Sequence, residues 1–500
     1  MHIDIRPVAR LRGPDPLDVP AALSPLFAAL GDTPADLARL RVVCDWIQYR
    51  NNFCPPVHTR PILTERRYPP ADADGAEPPA AVEIAIDLRR CAAGRGDGPG
   101  LDLAAAVKTA LAGPAAPART VLEPWRPASE SCIWQFNTLY WQALTRWEQA
   151  AGREYEQALP GGRSEARDTG PVRELILELL RVWDDLDTRG ALPAELYVVE
   201  LGVGNGNQAR TWLDVFAELD RAHGRDYYRR LHYLMGDYSP HVLDRARQNV
   251  GPHAGRVSAL VLDATRPQVT LGFLAGQAFL VYISNVYDNL PTDEVASIEG
   301  RPYLVEVRAY LGDEDTDAIA GRLGLPPGEL AGLVGRLLRL GPELLAEAVP
   351  GTLPGTSDAV ALWRDTWAAL RLAERYRPLD GLDAYQVIPA LSGEILGPLL
   401  GSSGDIRMHV SNGALASFTG TLPLLHPFGR LICHDLFRTE PGQYRTGFGG
   451  PGKYDGSVVN WVNGPLLQLA GNRRGFDVRI GPLPGRPAGP VQMLTAQVRD

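Results

Sequence analysis

A glycine-rich turn after an apolar run is the part of this 500-residue chain whose residue spacing most directly suggests chemistry. The run ends near Glu200, and Gly202, Gly204 and Gly206 alternate with other residues before a helical segment begins. Glycine lets a backbone turn tightly and approach a ligand where any Cβ would collide. Amide N–H groups at the start of the helix would bind an anionic group, and the Glu200 carboxylate would organise a cationic one. The turn therefore predicts a ligand site at the end of a strand.

Three kinds of turn share this pattern: a dinucleotide site, an S-adenosylmethionine site and a purely structural strand-to-helix connection. A dinucleotide fingerprint has Gly-x-Gly-x-x-Gly, with an acidic residue about 20 residues further on. Here the third glycine comes one residue early, and the acid that ends the next strand, Asp237, lies beyond that distance. The Gly-x-Gly-x-Gly turn preceded by Glu200 resembles motif I of the class I S-adenosylmethionine-dependent methyltransferases.

Two further acids stand where the second and third strands of the pattern end. Asp237 follows one apolar run in Gly-Asp-Tyr-Ser, and Asp263 follows another in Val-Leu-Asp-Ala. An Asp at a strand end is often only a helix cap, so each residue has a structural alternative. In the methyltransferase interpretation Asp237 accepts hydrogen bonds from both ribose hydroxyls and Asp263 accepts one from the adenine amino group. We place their neighbours Tyr238 and Ala264 in the same cofactor site.

Candidate residues for the methyl acceptor follow the fourth and fifth strands. Asn285, Tyr287 and Asp288 come after the fourth strand, at the crevice where open α/β sheets bind ligands, and His434 and Asp435 end the fifth strand beside them. Methyl transfer from a sulfonium depends on alignment, and a general base is needed only if the acceptor must lose a proton. His434 and Asp435 are the candidate bases, and the alternative for His434 is a structural role.

Several segments occur in the order found in the MidA-like methyltransferases, which are bacterial relatives of the mitochondrial complex I assembly methyltransferase. The similar segments, within about 165–310 and 405–498, are Asp168-Thr169-Gly170-Pro171, Asn285-Val286-Tyr287-Asp288-Asn289-Leu290-Pro291, Cys433-His434-Asp435-Leu436, Pro451-Gly452-Lys453-Tyr454-Asp455-Gly456-Ser457 and Val459-Asn460-Trp461. The resemblance implies S-adenosylmethionine as cofactor and a protein arginine as acceptor. Where the family has Glu, however, this chain has Val286. A guanidinium acceptor needs carboxylates around it, so this departure puts arginine methylation in question.

Alternating strands and helices must position these residues. Repeated β-α units from residue 195 predict an α/β fold with a doubly wound parallel sheet, and the resemblance implies the seven-stranded, Rossmann-like sheet of class I methyltransferases. A final antiparallel pair closes it. We divide the chain into five parts: an N-terminal accessory region (1–125) with Gly/Pro/Ala-rich stretches at 69–80, 92–100 and 112–118, a helical lead-in (126–190), the cofactor-binding half (191–310), a mainly helical insertion that could cap the site (311–400), and the C-terminal half (401–500).

Composition narrows the partners and the cellular location. The chain has 50 basic and 59 acidic residues, a net charge of −9, and no run of five basic residues, so nucleic acid is not an expected partner. The five cysteines follow no zinc-ligand spacing, which predicts a reduced cytoplasmic protein without a bound metal. Neither a signal peptide nor a stretch of about 18 apolar residues is present, so no membrane association is expected.

The hypothesis from sequence is a class I methyltransferase that transfers a methyl group from S-adenosylmethionine to an N or O nucleophile of a protein or small-molecule acceptor. Its oligomeric state is open, and a dimer is possible. A rival interpretation is a catalytically silent protein that keeps the cofactor pocket and serves in assembly or as a scaffold. Val286 and the unusual segment Cys433-His434-Asp435-Leu436 favour that rival. A dinucleotide-dependent oxidoreductase is a distant third.

Overall fold

The computed structural model describes most of the chain. The described residues are 2–5, 19–31, 40–45, 51–53, 57–61, 82–87, 102–111, 119–155, 169–401, 406–445, 451–484 and 489–499. Outside these residues lie the Gly/Pro/Ala-rich stretches, which are interpreted as linkers, and Asp168. The sequence Leu-Pro-Gly-Gly predicts a turn at 159–162, which also lies outside them. So does part of the glycine-rich segment 439–456.

The N-terminal region forms a small sheet of its own, in which β2 lies between β1 and β5, and β4 pairs with the other side of β5. The elements are β1 (His2–Ile5), β2 (Leu40–Asp45), β3 (Asn51–Asn52), β4 (Val57–Pro61) and β5 (Val82–Asp87), with helices α1 (Val19–Gly31) and α2 (Leu103–Leu111). The predicted strand near 82–88 and helix near 101–111 are therefore present.

The lead-in begins with two short strands and continues as three helices. These are β6 (Arg119–Val121), β7 (Arg126–Pro127), α3 (Cys132–Gln142), α4 (Leu144–Ala151) and α5 (Thr169–Thr188). Buried Glu123 fixes the start of α3, since its carboxylate accepts hydrogen bonds from the Ser131 hydroxyl at 2.6 Å and from Cys132 N–H at 2.7 Å. Gly152, in the left-handed conformation at φ 67°, ends α4.

The first half of the main sheet alternates strands and helices as the sequence predicts. It comprises β8 (Leu196–Leu201), α6 (Asn207–Ala222), β9 (Leu231–Asp237), α7 (Pro240–Asn249), β10 (Val257–Val261), α8 (Pro267–Leu271) and β11 (Ala278–Ser284). All four strands are parallel to their neighbours. Their carboxyl ends therefore share one edge of the sheet, which brings the polar residues that follow them together.

The segment 294–409, which is wider than the predicted insertion (311–400), carries a second sheet as well as helices. Its elements are β12 (Glu294–Ile298), β13 (Arg301–Gly312), α9 (Asp313–Arg322), α10 (Leu330–Ala348), α11 (Thr356–Ala369), β14 (Arg371–Pro378), β15 (Gln386–Ile388), β16 (Leu391–Ser392), α12 (Gly397–Gly401) and β17 (Ile406–His409). The strand order is β14, β13, β12, β17, and β6 and β7 of the lead-in also pair with β13. The insertion was predicted to be mainly helical. Its helices are present, but they pack on a sheet that the helical periodicity of the sequence did not reveal.

The C-terminal half completes the main sheet. It contains α13 (Asn412–Thr421), β18 (Leu425–Asp435), β19 (Phe437–Arg438), β20 (Gly452–Tyr454), β21 (Ser457–Val459), β22 (Val462–Asn463), α14 (Gly464–Arg473), β23 (Phe476–Pro482) and β24 (Gln492–Val498). The complete strand order is β10, β9, β8, β11, β18, β24, β23, with β24 antiparallel to both of its neighbours. The predicted α/β class, with a mixed sheet, is confirmed.

Three apolar cores hold these layers together. One face of the main sheet packs on α13 and α14, and the opposite face packs on α5 and α6 around Trp183 and Phe216. The third core joins α3 and α4 of the lead-in to α10 and α11 of the insertion, through residues such as Phe136 and Trp363. Lead-in and insertion therefore share one core. Among the described residues, no helix is long and apolar enough to cross a membrane.

Candidate functional site

The glycine turn lies where the strand order of the main sheet reverses. In the sheet, β8 lies between β9, the next strand in sequence, and β11. The loops that follow β8 and β11 therefore leave the sheet in opposite directions and open a crevice between them. Gly202, Gly204 and Gly206 all have positive φ, between 55° and 79°. A Cβ on Gly206 would lie 2.9 Å from the Ala246 Cα, and a Cβ on Gly202 would lie 2.2 Å from the Val286 Cγ2. Conformation and space both require glycine here.

Glu200 is held inside the sheet beside this turn. Only 3% of its surface is exposed, and its Oε2 accepts a hydrogen bond from the Tyr233 hydroxyl at 2.7 Å. Burial, with a smaller contribution from Asp237, raises the pKa of Glu200 to about 8. The carboxyl group is therefore mostly protonated at neutral pH and would ionise readily beside a cation.

Asp237 ties the end of β9 to the glycine turn. Its Oδ2 accepts a hydrogen bond from Gly204 N–H at 3.3 Å, and its Oδ1 accepts one from Ser239 N–H at 3.0 Å. Burial raises the pKa of Asp237 to about 6, although these amide groups oppose the shift. The next residue, Tyr238, accepts a hydrogen bond at its hydroxyl from the Gln142 side chain at 3.0 Å.

Asp263 stands after β10 in a turn of its own. Its Oδ1 accepts hydrogen bonds from the backbone N–H and the hydroxyl of Thr265, at 2.8 and 2.7 Å, and Arg266 lies 3.5 Å from its Oδ2. These contacts form a side-chain turn with Thr265 and not the helix cap that was the structural alternative, because the N-cap of α8 is Arg266. The side chain nevertheless stays 38% exposed, and Ala264 beside it is half-buried, so both remain accessible to a ligand.

These groups fit S-adenosylmethionine. The glycine turn forms a cradle that Cβ atoms would fill, and the two following strands each end in an aspartate that is not fully buried. Backbone N–H groups at the start of α6 suit a carboxylate, and aspartate oxygens suit ribose hydroxyls and an exocyclic amine. Among the described residues, no group of three or more His, Cys, Asp or Glu side chains is arranged to hold a metal.

The ends of β11 and β18 meet as predicted. Asn285 has a left-handed backbone at φ 52°, which asparagine tolerates better than most residues, and its N–H donates to the His434 carbonyl at 3.0 Å. Asn285 is exposed, whereas the ring of Tyr287 is buried in the apolar core below the sheet edge, with 1% exposure. Burial raises its pKa far above the usual range, so the phenol stays protonated.

Asp288 and Asp435 form a buried pair of carboxyl groups. Asp435 is fully buried and accepts hydrogen bonds from the backbone N–H groups of Val286 at 3.1 Å, Tyr287 at 2.8 Å and Leu436 at 2.8 Å. Burial raises the pKa of Asp435 to about 6, and burial together with the Asp435 charge raises the pKa of Asp288 well above its usual range. Because the amide groups favour an ionised Asp435, Asp288 holds a proton in preference to Asp435.

His434 lies on the opposite face of β18 from Asp435. Its Nδ1 is 3.0 Å from the Tyr282 hydroxyl, and burial lowers the pKa of the imidazole to about 4. His434 is therefore neutral at physiological pH. A neutral imidazole can accept a proton, but one with this pKa holds it weakly.

The structure also brings together residues that sequence reasoning did not place in the site. Asn460 N–H donates to the Asp288 carbonyl at 2.8 Å, and its side-chain amide is buried without a hydrogen-bond partner among the described residues. Tyr155 of the lead-in reaches the glycine turn, 3.3 Å from where a Cβ on Gly204 would lie. The similarity of the Val459-Asn460-Trp461 segment to the family could have pointed to Asn460. For Tyr155, the sequence offered no signal beyond an aromatic side chain.

Comparisons with known proteins find similarity in solved structures alone. No protein-family model and no curated protein matches this chain. An uncharacterized protein from Burkholderia thailandensis is 15% identical, with a TM-score of 0.41 over 75% of this chain and 87% of its own. A likely methyltransferase from the same organism, which belongs to the same superfamily as the first protein and is bound to S-adenosyl-homocysteine, is also 15% identical. Its TM-score is 0.42 over 75% of this chain and 88% of its own. The CcbJ methyltransferase from Streptomyces caelestis is 11% identical, with a TM-score of 0.32 over 73% and 99%. At these values the function has to be inferred from this chain's own geometry.

Proposed function

We propose that the protein is a class I S-adenosylmethionine-dependent methyltransferase of the MidA-like type. The observation that carries the proposal is the cradle at the point of strand reversal, where three glycines with positive φ face the aspartate that ends the next strand. Ligands bind at such points in open α/β sheets. A sulfonium cofactor with an amino-acid tail and a nucleoside has a complementary group for each polar element there.

Each residue of the cofactor side has a role in binding. N–H groups at the start of α6 hold the tail carboxylate, and Glu200 compensates the tail ammonium once it ionises. Asp237 accepts hydrogen bonds from the ribose hydroxyls, with Tyr238 beside it, and Asp263 and Ala264 contact the adenine. When bound, the cofactor supplies an electrophilic methyl group. The protein's own contribution is to orient that methyl group and to exclude water from it.

The acceptor binds on the side of Asn285, Tyr287, Asp288, His434 and Asp435, as an N or O nucleophile of a protein or small molecule in the cytoplasm. Asn285 is the exposed polar side chain there, and His434 is neutral and able to take up a proton. Backbone amides occupy the oxygens of Asp435, and burial beside Asp435 raises the pKa of Asp288 well above its usual range, so these two acids shape the site. Val286, in place of the glutamate of MidA-like proteins, favours an uncharged acceptor over a guanidinium.

Isothermal titration with S-adenosyl-homocysteine tests the cofactor assignment. We expect saturable binding by the wild type and at least about tenfold weaker binding by Asp237→Ala, since lost hydrogen bonds to a charged group cost about 1.5–3 kcal/mol. Asp244→Ala, on the exposed face of α7, is the matched control and should bind as the wild type does. No binding by the wild type, or equal binding by Asp237→Ala, would contradict the proposal.

A cofactor-binding scaffold without activity is the second candidate. The observation that favours it is the burial of the two acids, 5% exposed for Asp288 and 0% for Asp435, which leaves neither carboxyl group open to an acceptor. Transfer of a labelled methyl group into a lysate of the source organism, separated into protein and small-molecule fractions, distinguishes the candidates. Label in either fraction supports the enzyme, whereas binding without label supports the scaffold.

A further inference from the structure

The hydroxyl group of Tyr155 lies over the glycine turn although it belongs to the lead-in, far from β8 in sequence. A Cβ on Gly204 would stand 3.3 Å from this hydroxyl. The same glycine donates its N–H to Asp237 at 3.3 Å, so Tyr155 and Asp237 both approach Gly204. A phenol at this place borders the space that the tail of the cofactor would occupy.

The lead-in holds Tyr155 in place by contacts of its own. Tyr155 N–H donates to the Glu148 carboxylate at 2.9 Å. The edge of its ring meets Trp141, with the ring centres 5.9 Å apart and the planes at 79°. Trp141 in turn lies edge-on against Tyr140, which is buried in the core that the lead-in shares with the insertion. The side chain is therefore anchored in a packed region.

An arginine on the cofactor side connects this region to the main sheet. Arg245 of α7 lies 3.5 Å from Glu148 and 3.0 Å from Glu154, the residue before Tyr155. α7 begins directly after Asp237 and Tyr238, so these ion pairs connect the lead-in to the element that follows the proposed ribose site. Arg245 is 27% exposed, which leaves the pairs only partly screened by solvent.

The lead-in makes a second contact with the same site. Gln142, the last residue of α3, donates a hydrogen bond to the Tyr238 hydroxyl at 3.0 Å. Two side chains of the lead-in, Tyr155 and Gln142, thus reach two separate parts of the proposed cofactor site, the glycine turn and the end of β9. If the lead-in only packed against the surface of the main sheet, its side chains would not need to reach both the glycine turn and the end of β9.

We propose that Tyr155 is a cofactor-binding residue that closes the glycine-turn side of the pocket, with Arg245 as its positioning residue. The inference rests on the proposed function. The phenol hydroxyl donates a hydrogen bond to the tail carboxylate, and the ring keeps water from the tail. The lead-in is then part of the cofactor site and not only a support for the sheet.

Binding and dissociation of S-adenosyl-homocysteine test this inference. Removing one hydrogen bond lowers affinity by about two- to tenfold, so Tyr155→Phe should bind within that range and Tyr155→Leu at least about tenfold more weakly than the wild type. Arg245→Gln should bind about two- to fivefold more weakly. Because Tyr155 closes the pocket, the loss should appear as faster dissociation in stopped-flow displacement, with little change in the association rate.

Two matched controls separate this role from a general loss of structure. Tyr228→Phe removes a hydroxyl that bonds to His253 outside the proposed site, and Arg247→Gln removes an arginine two residues along α7 that pairs with Asp244. Both should bind as the wild type does, and Tyr155→Phe should unfold at the wild-type temperature. Wild-type or tighter binding by the Tyr155 variants would overturn this inference alone. Failure of the wild type to bind would instead overturn the proposed function.

Discussion

The two sides of the crevice are built in different ways. On the proposed cofactor side, Asp237 and Asp263 accept hydrogen bonds from residues two positions further along the chain, and Asp237 also accepts one from Gly204, 33 positions earlier. On the acceptor side, Asp435 accepts hydrogen bonds from Val286 and Tyr287, which lie 149 and 148 positions away. The first side is therefore shaped mainly by short turns at the ends of adjacent strands. The second exists only once β11 and β18 are paired.

The acids on the two sides also differ in how much of their surface is exposed. Asp237 and Asp263 are half-buried and keep part of their surface for a ligand, whereas Asp288 and Asp435 are 5% and 0% exposed. Backbone N–H groups donate to Asp435, and the Asn289 side chain donates to Asp288 at 2.8 Å. Carboxylates at neighbouring strand ends are thus accessible to a ligand on one side and buried in the structure on the other, which residue type alone does not reveal.

The contact between Gly202 and Val286 joins the two sides, and breaking it should give the largest effect. Gly202→Ala adds a Cβ at positive φ and 2.2 Å from the Val286 Cγ2. We expect a loss of about 2–6 kcal/mol in the free energy of unfolding, from about 1–3 for the backbone and about 1–3 for overpacking. Urea denaturation measures it.

A matched glycine separates these two contributions. Gly276 has a similar φ of 68° but nothing within 4 Å of its Cβ position, so Gly276→Ala should show the backbone cost alone. The double variant Gly202→Ala/Val286→Ala should recover about 1 kcal/mol or more relative to the sum of the single changes. Additive single changes would show that Val286 does not press on the glycine turn.

A pair of Asp→Asn substitutions compares the two sides directly. In Asp435→Asn an amide NH₂ replaces an oxygen that accepts from a backbone N–H, which should lower the free energy of unfolding by about 2–3 kcal/mol. In Asp263→Asn the loss should be under about 0.5 kcal/mol, because Asn forms the same turn with Thr265. Equal losses in chemical denaturation would contradict the difference between the sides.

The proposed cofactor side, with its short turns, is also the side that the sequence predicted well. The apolar run that was predicted to end near Glu200 is β8 (Leu196–Leu201), because an apolar strand followed by alternating glycines is a local pattern. The strands that carry Asp237 and Asp263 were found for the same reason. The assignment of these residues to a cofactor stays a prediction until binding is measured.

The parts that the sequence did not reveal depend on contacts between distant segments. β13 alternates poorly and pairs with β6 and β7, so its sheet could not be deduced from periodicity. Tyr155 reaches Gly204 only because the lead-in packs on the insertion. The carboxyl pair of Asp288 and Asp435 needed the pairing of two strands separated by the whole insertion.

The smallest expected effect is the pH dependence of cofactor affinity, and it distinguishes the two sides through Asp237. Burial raises the pKa of Asp237 to about 6, so the carboxylate that would accept from the ribose hydroxyls takes up a proton as the pH falls through that value. Affinity for S-adenosyl-homocysteine should therefore be lower at pH 5 than at pH 7 by about tenfold. Calorimetry across this range measures it.

Variants on each side decide whether Asp237 is the titrating group. Asp237→Asn should bind weakly and lose the inflection near pH 6, whereas His434→Gln should keep it, because the pKa of His434 is about 4 and its imidazole stays neutral over the whole range. Glu200→Gln should also keep it, but should lose any further rise in affinity towards pH 8, where Glu200 ionises. If His434→Gln abolished the inflection, the group that controls cofactor binding would lie on the acceptor side, and the division of labour between the two sides would be wrong.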